Sequence, residues 1–274
     1  MGKQRSRQLQ DGRGFIKDGS VVGDRHTQRK QRGEDMVRND RDVNREDYNL
    51  GWFHPTKAQN EIIRNMLEKE CTLVDAPSGC GKSTTVIYQS LKWLKSGDYR
   101  KIIFIKSPST LSLDEVGFLG TNEAKFDFPL MAMRSIFESF MSKEKLEMEE
   151  KRGRIEFMFP LWLGGQTFSN ALVLVDEMQW FDPSTVKLVL ERCDSTCKVV
   201  CMFDGKQRYT SRWREDGSKF LVDKVTGIDV SGVRYVKEPL FGYVKLTHNE
   251  NRRGALSKRI TEMFDDLDFD SRKK

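Results

Sequence analysis

The stretch 72–85, T-L-V-D-A-P-S-G-C-G-K-S-T-T, constrains this chain more than any other, because a short apolar strand runs directly into a glycine loop and then into a helix-forming sequence. A loop of this kind closes backbone N–H groups around phosphate oxygens, while a lysine reaches the outer phosphates and a hydroxyl meets the magnesium that accompanies them. Gly79, Gly81, Lys82 and Ser83 fill those places, and Pro77, Ser78, Cys80 and Thr84 complete the loop. Ala76 stands where the pattern G-x-x-x-x-G-K-[S/T] usually opens on glycine, and alanine is the smallest alternative at that turn. The helix expected from about Lys82 points its N-terminal dipole and orphan N–H groups at the same anion. Residues 76–84 are therefore expected to hold a triphosphate, with Ser83 on the metal.

At 274 residues the chain has room for one large α/β domain with extensions or for two small domains, and a single P-loop favours one core. Hydrophobic residues make up 37% and charged residues 32%, and the charge is concentrated at the N-terminus, where 1–48 carries 12 Lys/Arg and 9 Asp/Glu with little apolar periodicity. Such a segment cannot bury enough surface to offset its ordering entropy, so it reads as a disordered arm, or one that orders on a partner. Its start, K-Q-R-S-R-Q, suits nucleic-acid contact or plain solvation.

The net charge of +6 and a pI near 9.0 permit a polyanionic partner without identifying one. Five cysteines and three histidines show no C-x-x-C pair or zinc-like spacing, and an odd cysteine count with Cys80 inside the loop suits a reducing compartment. No apolar run approaches the roughly 20 residues of a membrane span. The expected location is the cytoplasm, or the host cytoplasm for a virally encoded chain.

Along the chain, Thr56 is the expected N-cap of a helix to about Glu68, with Ile62, Ile63, Met66 and Leu67 apolar. After the loop, Val86, Ile87, Leu91 and Leu94 keep helical spacing up to Gly97, and 102–105 forms an apolar run; strand, loop, helix and strand make a βαβ unit. Pro129 is expected to open a helix through Met141, followed by an exposed charged helix or turn at 144–152. The run A-L-V-L-V at 171–175 is the strongest buried-strand signal, followed by a helix capped by Asp182 with Pro183 at its first position. Further strands are expected at 198–203 and 243–246. Uninterrupted apolar strands separated by helices imply a mostly parallel sheet covered on both faces. The glycine-bearing stretch 205–239 reads as an inserted β-hairpin, with short alternating runs at 220–222 and 233–236.

Asp176 and Glu177 end the best strand, on the edge where open α/β sheets place their ligands. After a P-loop in the same sheet, Asp176 is expected to hold magnesium and Glu177 to orient or deprotonate an attacking water.

Taken together, A-P-S-G-C-G-K-S, V-G-F-L-G, L-V-D-E-M-Q and F-D-G-K-Q resemble the successive motifs of the PhoH family, P-loop ATPases related to the core of superfamily 1 helicases. The resemblance covers about 50–266, leaving the arm at 1–48 and a charged tail at 267–274 outside the ATPase domain of 49–266. It implies a RecA-like three-layer α/β fold, ATP and Mg2+ as cofactors, and handling of single-stranded RNA or DNA, with a homo-oligomeric ring if the single core is a motor. By position it makes Asp176, Glu177 and Gln179 the acidic motif. Asp204 and Gln207 become the sensor that follows, although Gln207 also reads as an ordinary loop residue. Gln59 resembles the glutamine that reads the adenine edge, and alternatively is an exposed helix residue.

The chain departs from the family pattern at Ser107, beside Lys106, where an arginine is usual, at 164–167, where G-G-Q-T replaces a basic stretch, and at Phe203, which replaces a glycine before Asp204. Arg252 and Arg253 remain as candidates for an arginine finger or a plain basic turn. The reading that follows is an Mg-dependent ATPase with Lys82, Glu177, Gln207 and Arg253 as catalytic residues. A nucleotide-sensing module without productive turnover and a P-loop small-molecule kinase are the alternatives. A basic core face with Lys106, Lys206, Arg208, Arg212 and Trp213 competes with the arm as the nucleic-acid site.

Overall fold

The computed structural model describes residues 48–106, 122–207 and 216–264. The expectations for the arm at 1–47, for V-G-F-L-G, for Ser107, Arg208, Arg212 and Trp213, and for the tail at 267–274 lie outside the described residues.

Helix α1 (Lys57–Glu68) starts at Thr56, whose side chain accepts the Gln59 N–H while the Gln59 side chain accepts the Thr56 N–H, a reciprocal capping box. It leads into β1 (Cys71–Asp75), the glycine loop, α2 (Lys82–Ser96), which stops at Gly97 in the left-handed conformation, and β2 (Lys101–Lys106). Then come α3 (Asn122–Phe137), α4 (Lys143–Lys151), β3 (Ile155–Met158), β4 (Ala171–Asp176), α5 (Pro183–Leu190) and β5 (Lys198–Phe203). The chain continues through α6 (Gly217–Val225), β6 (Thr226–Ile228), β7 (Arg234–Val236), β8 (Phe241–Lys245) and α7 (Ala255–Phe264).

Six strands form one sheet in the order β3-β2-β4-β5-β1-β8, and every neighbouring pair is parallel. Both faces are covered, as a parallel sheet requires. Alternate side chains divide between two cores: Phe104, Leu172, Leu174 and Val200 pack with Ile62, Ile87, Leu91 and Phe137 on one face. Ile103, Ile105, Val173 and Val175 pack with Met178, Val186 and Val222 on the other. The register then fixes the functional edge, with Lys106 opposite Asp176 and Asp75 opposite both Phe203 and Lys245. Strand β5 lies between the strands that end in the glycine loop and in the acid pair, so its own end reaches both.

Several expectations are corrected. Helix α3 already runs from Asn122, so Pro129 lies within it and costs one interior donor, and the helix ends at Phe137 before Met141. The charged segment at 144–152 is a helix, yet Glu149 in it is buried, so it is not simply an exposed face. Strand β3 has no clear signal in the sequence, because Glu156 interrupts its short apolar run. The hairpin is confined to β6 and β7, which pair antiparallel, whereas Phe220, Leu221 and Val222 belong to α6, capped by Asp216 accepting from the Ser218 and Lys219 N–H groups. Gly217 marks no turn of a hairpin; its lack of a Cβ serves packing, since a Cβ there would lie 2.8 Å from the Asp182 carbonyl oxygen.

Candidate functional site

The glycine loop is shaped from outside. Ser78 O accepts from Asn251 Nδ2 at 3.2 Å, Gly79 O from the Arg252 N–H at 2.9 Å, and Cys80 O from Gln59 Nε2 at 3.1 Å. In a trans peptide the carbonyl and the following N–H point in opposite directions. Holding the Ser78 and Cys80 carbonyls on those partners therefore turns the Gly79 and Gly81 N–H groups away from them, as donors to an anion must be. Both glycines have positive φ, 86° and 72°, and a Cβ on either would collide with the tethering side chains, at 2.8 Å from Asn251 Oδ1 and 2.7 Å from Gln59 Nε2. Glycine is thus needed twice over at each position.

Lys82 is buried and its ammonium donates to Ala76 O at 3.2 Å. Ser83 Oγ donates to Asp176 Oδ1 at 3.2 Å, which joins the loop directly to the acid pair at the end of β4. Asp176 is 2% exposed, and its other oxygen accepts from Lys106 Nζ at 3.2 Å. Lys106, next to the position where the family arginine is missing, thus supplies a cation to this carboxylate.

Glu177 has φ 55°, a left-handed backbone uncommon outside glycine, at the start of a 3₁₀ turn over Met178–Trp180. Strain of this kind persists only where the surroundings impose it. The carboxylate of Glu177 is in turn held by Gln179, 1% exposed, whose Nε2 donates to Glu177 Oε2 at 2.5 Å and whose Oε1 accepts from the Asp204 N–H at 3.2 Å. The glutamine of D-E-M-Q therefore ties the Glu177 carboxylate to the end of β5. Burial raises the Asp204 carboxyl above its ordinary range, against the Lys206 N–H and the Lys82 charge, which lower it.

These groups border one open cleft of about 740 Å³, lined by Gln59, Ser78, Gly79, Gly81, Lys82, Ser83, Thr84, Lys106, Asp176, Glu177, Arg252 and Arg253, with the apolar side chains of Trp52, Phe53 and Ile136 and the imidazole of His54 completing the lining. The volume falls in the range of small-molecule and cofactor sites. Arg253 Nη1 donates to Ser78 Oγ at 2.8 Å, so this arginine meets the loop within its own chain. Gln59 lines the cleft with one N–H on Cys80 O and one lone pair on the Thr56 N–H, leaving one of each.

Several expected residues face elsewhere. Gln207 is half-buried in a turn closed by its N–H on Asp204 O and does not line this cleft; the glutamine that reaches Glu177 is Gln179. The Cys80 thiol is buried against Thr247 O, and burial pushes its pKa up to about 11. Ala76, Pro77 and 164–167 do not line this cleft, and Pro77 borders a separate pocket beside Asp75 and Asp204. Sequence reasoning missed Asn251 entirely, while the capping role of Gln59 was legible as the T-x-x-Q pattern at 56–59.

The residues fit a divalent cation. A hydroxyl and a carboxylate oxygen converge between Ser83 and Asp176, and such hard oxygen donors suit magnesium, which takes few protein ligands beside phosphate and water.

A parallel sheet with a glycine loop at the end of one strand and an acid pair two strands away defines a nucleotide-binding protein of the P-loop NTPase class. Within that class the chain belongs to the PhoH-like protein family, whose model matches residues 54–265. It is 28% identical over 237 residues to Protein PhoH2 of Thermobispora bispora, covering 85% of this chain and 50% of that one. It is 26% identical over 211 residues to a PhoH-like protein of Synechocystis sp., covering 77% and 61%. The match thus spans between half and about three fifths of these relatives. Among solved structures, the large terminase from a thermophilic bacteriophage in complex with ADP aligns with a TM-score of 0.42 and 10% identity, over 77% of this chain and 50% of that one. Among the described residues no helix is long and apolar enough to cross a membrane.

Proposed function

We propose that this chain binds ATP with Mg2+ in the cleft and hydrolyses it. The observation that carries this reading is the Ser83–Asp176 hydrogen bond, which places the phosphate loop and the acid pair at one point. In phosphoryl transfer the protein's work is positioning and charge stabilisation. The Gly79 and Gly81 N–H groups and the α2 N-terminus would cradle phosphate, and Lys82 would exchange Ala76 O for a phosphate oxygen. Magnesium, held by Ser83 and Asp176, would neutralise charge on the outer phosphates. Glu177, aimed by Gln179, would orient or deprotonate the attacking water. Lys106 and Arg253 bring further positive charge to the same cleft.

The net charge of +6 and the family membership support coupling of this hydrolysis to single-stranded RNA or DNA. A single core that moves along a strand would act as an oligomer. Phosphate release, measured with no acceptor present, with and without single-stranded RNA and DNA at two salt concentrations, tests both parts. Mg-dependent release that rises with nucleic acid is expected. Binding without release would contradict the hydrolase reading, and release indifferent to either strand would contradict the coupling.

A further inference from the structure

The helix at the end of the described chain is attached through the same residue that shapes the phosphate loop. No described residue of α7 is buried. Its ties to the body are polar: Asn251 Nδ2 donates to Ser257 Oγ at 3.0 Å and approaches Thr261 Oγ1 at 3.5 Å, and His248 lies 4.0 Å from Glu262. Asn251 is itself buried, 8% exposed, and its Oδ1 accepts the Arg253 N–H at 2.9 Å. An amide nitrogen carries two hydrogens. One serves Ser78 O in the loop and the other Ser257 Oγ on α7, so one NH2 group spans both elements.

We propose that Asn251 is a positioning residue that sets the loop for phosphate and makes α7 respond to nucleotide, a proposal that rests on the ATP-site reading above. The Ser78 carbonyl and the Gly79 N–H belong to one rigid peptide. Phosphate that accepts from the Gly79 N–H fixes that peptide, and with it the carbonyl on which Asn251 donates. The amide has little freedom to turn aside, because the Gly79 Cα sits against it closely enough that a Cβ would be 2.8 Å from Oδ1. The next peptide is held by the Arg252 N–H on Gly79 O, so the segment follows the loop at two points. Fixing Ser78 O thereby fixes the Asn251 amide, and the amide fixes Ser257 and the first turns of α7. Coupling of this kind is reciprocal in free energy: whatever orders α7 raises nucleotide affinity by the same factor.

Hydrogen exchange of α7 in the full chain, with and without a saturating non-hydrolysable ATP analogue and Mg2+, tests the proposal alongside titration of nucleotide affinity. In the wild type, nucleotide should slow exchange across α7 severalfold. Asn251→Ala should weaken affinity about tenfold, the effect of losing a buried amide's hydrogen bonds, and leave α7 exchange indifferent to nucleotide. Asn251→Asp, which keeps the acceptor for the Arg253 N–H but loses both donors, should behave like Asn251→Ala. Ser257→Ala lies outside the cleft and should lose most of the α7 response with only about two- to threefold weaker affinity. That variant carries the test should the Asn251 variants fail to fold. Wild-type nucleotide binding without change in α7, or an undiminished response in Ser257→Ala, would overturn the proposal alone. A wild type that binds no nucleotide would overturn the ATP-site reading and this proposal with it.

Discussion

Two buried carboxylates serve opposite ends in this molecule. Glu149 on α4 is fully buried, and its oxygens meet Lys145 Nζ at 2.7 Å, Arg154 Nε at 3.3 Å and the Tyr48 hydroxyl at 3.0 Å. Asp176 is nearly as buried but meets the Ser83 hydroxyl and Lys106 among the described residues, and it borders an open cleft. A buried charge surrounded by fixed partners holds elements together, here the start of the domain, α4 and the turn before β3. A buried charge answered by groups that can be exchanged for a cation and its phosphate is arranged for a ligand. Burial alone does not separate the two; the supply of partners does.

The largest expected effect separates the cleft from the rest of the fold. Lys82→Ala should abolish measurable nucleotide binding and turnover while leaving the melting temperature close to wild type, as calorimetry and phosphate release would show. Next, Asp176→Asn should lower Mg-dependent turnover by roughly 10²-fold or more while changing stability little, since the Lys106 it leaves behind borders the open cleft and can be solvated there. Glu149→Gln should do the reverse. It should cost about 2 kcal/mol, less than a fully buried pair because Lys145 and Arg154 keep some solvent, or roughly 6 °C in melting temperature, with turnover per folded molecule unchanged. Equal stability losses in the two acid variants would remove the distinction.

How far these roles were legible in the sequence follows the same division. The P-loop strand, α2, β2, β4 and the acid pair could be read because apolar runs bounded by glycine or aspartate state both an element and its end. Thr56 and Asp182 announced their helices through local capping bonds. Strand β3 escaped because an edge strand needs only partial apolar character, and α6 escaped because Gly217 answers to a neighbouring helix instead of a turn. Glu149 looked like one more charge on a charged helix, and Asn251 like part of a basic turn. Each acquires its role from a partner distant in the chain, Tyr48 for one and Ser78 for the other, and no local pattern carries that information.

The smallest expected effect concerns a third buried carboxylate, Asp204, whose pKa is raised chiefly by burial. A carboxyl that holds its proton more tightly when folded contributes most to stability at low pH. That contribution is lost as pH rises from the ordinary carboxylate range through the raised value. Asp204→Asn should therefore flatten the stability profile in that window and leave neutral-pH stability equal or slightly higher, as urea melts across the acid range would register. A steeper profile in the variant would contradict the assignment.

In the proposed reaction the cleft turns over ATP with Glu177 acting on the water. Phosphate release and ATP affinity measured side by side in the wild type and in Glu177→Gln test it most directly. The amide keeps the shape of the side chain but cannot take a proton, so affinity should be retained while turnover falls by roughly 10²-fold or more. Turnover undiminished in Glu177→Gln, or binding and rate lost together, would contradict it.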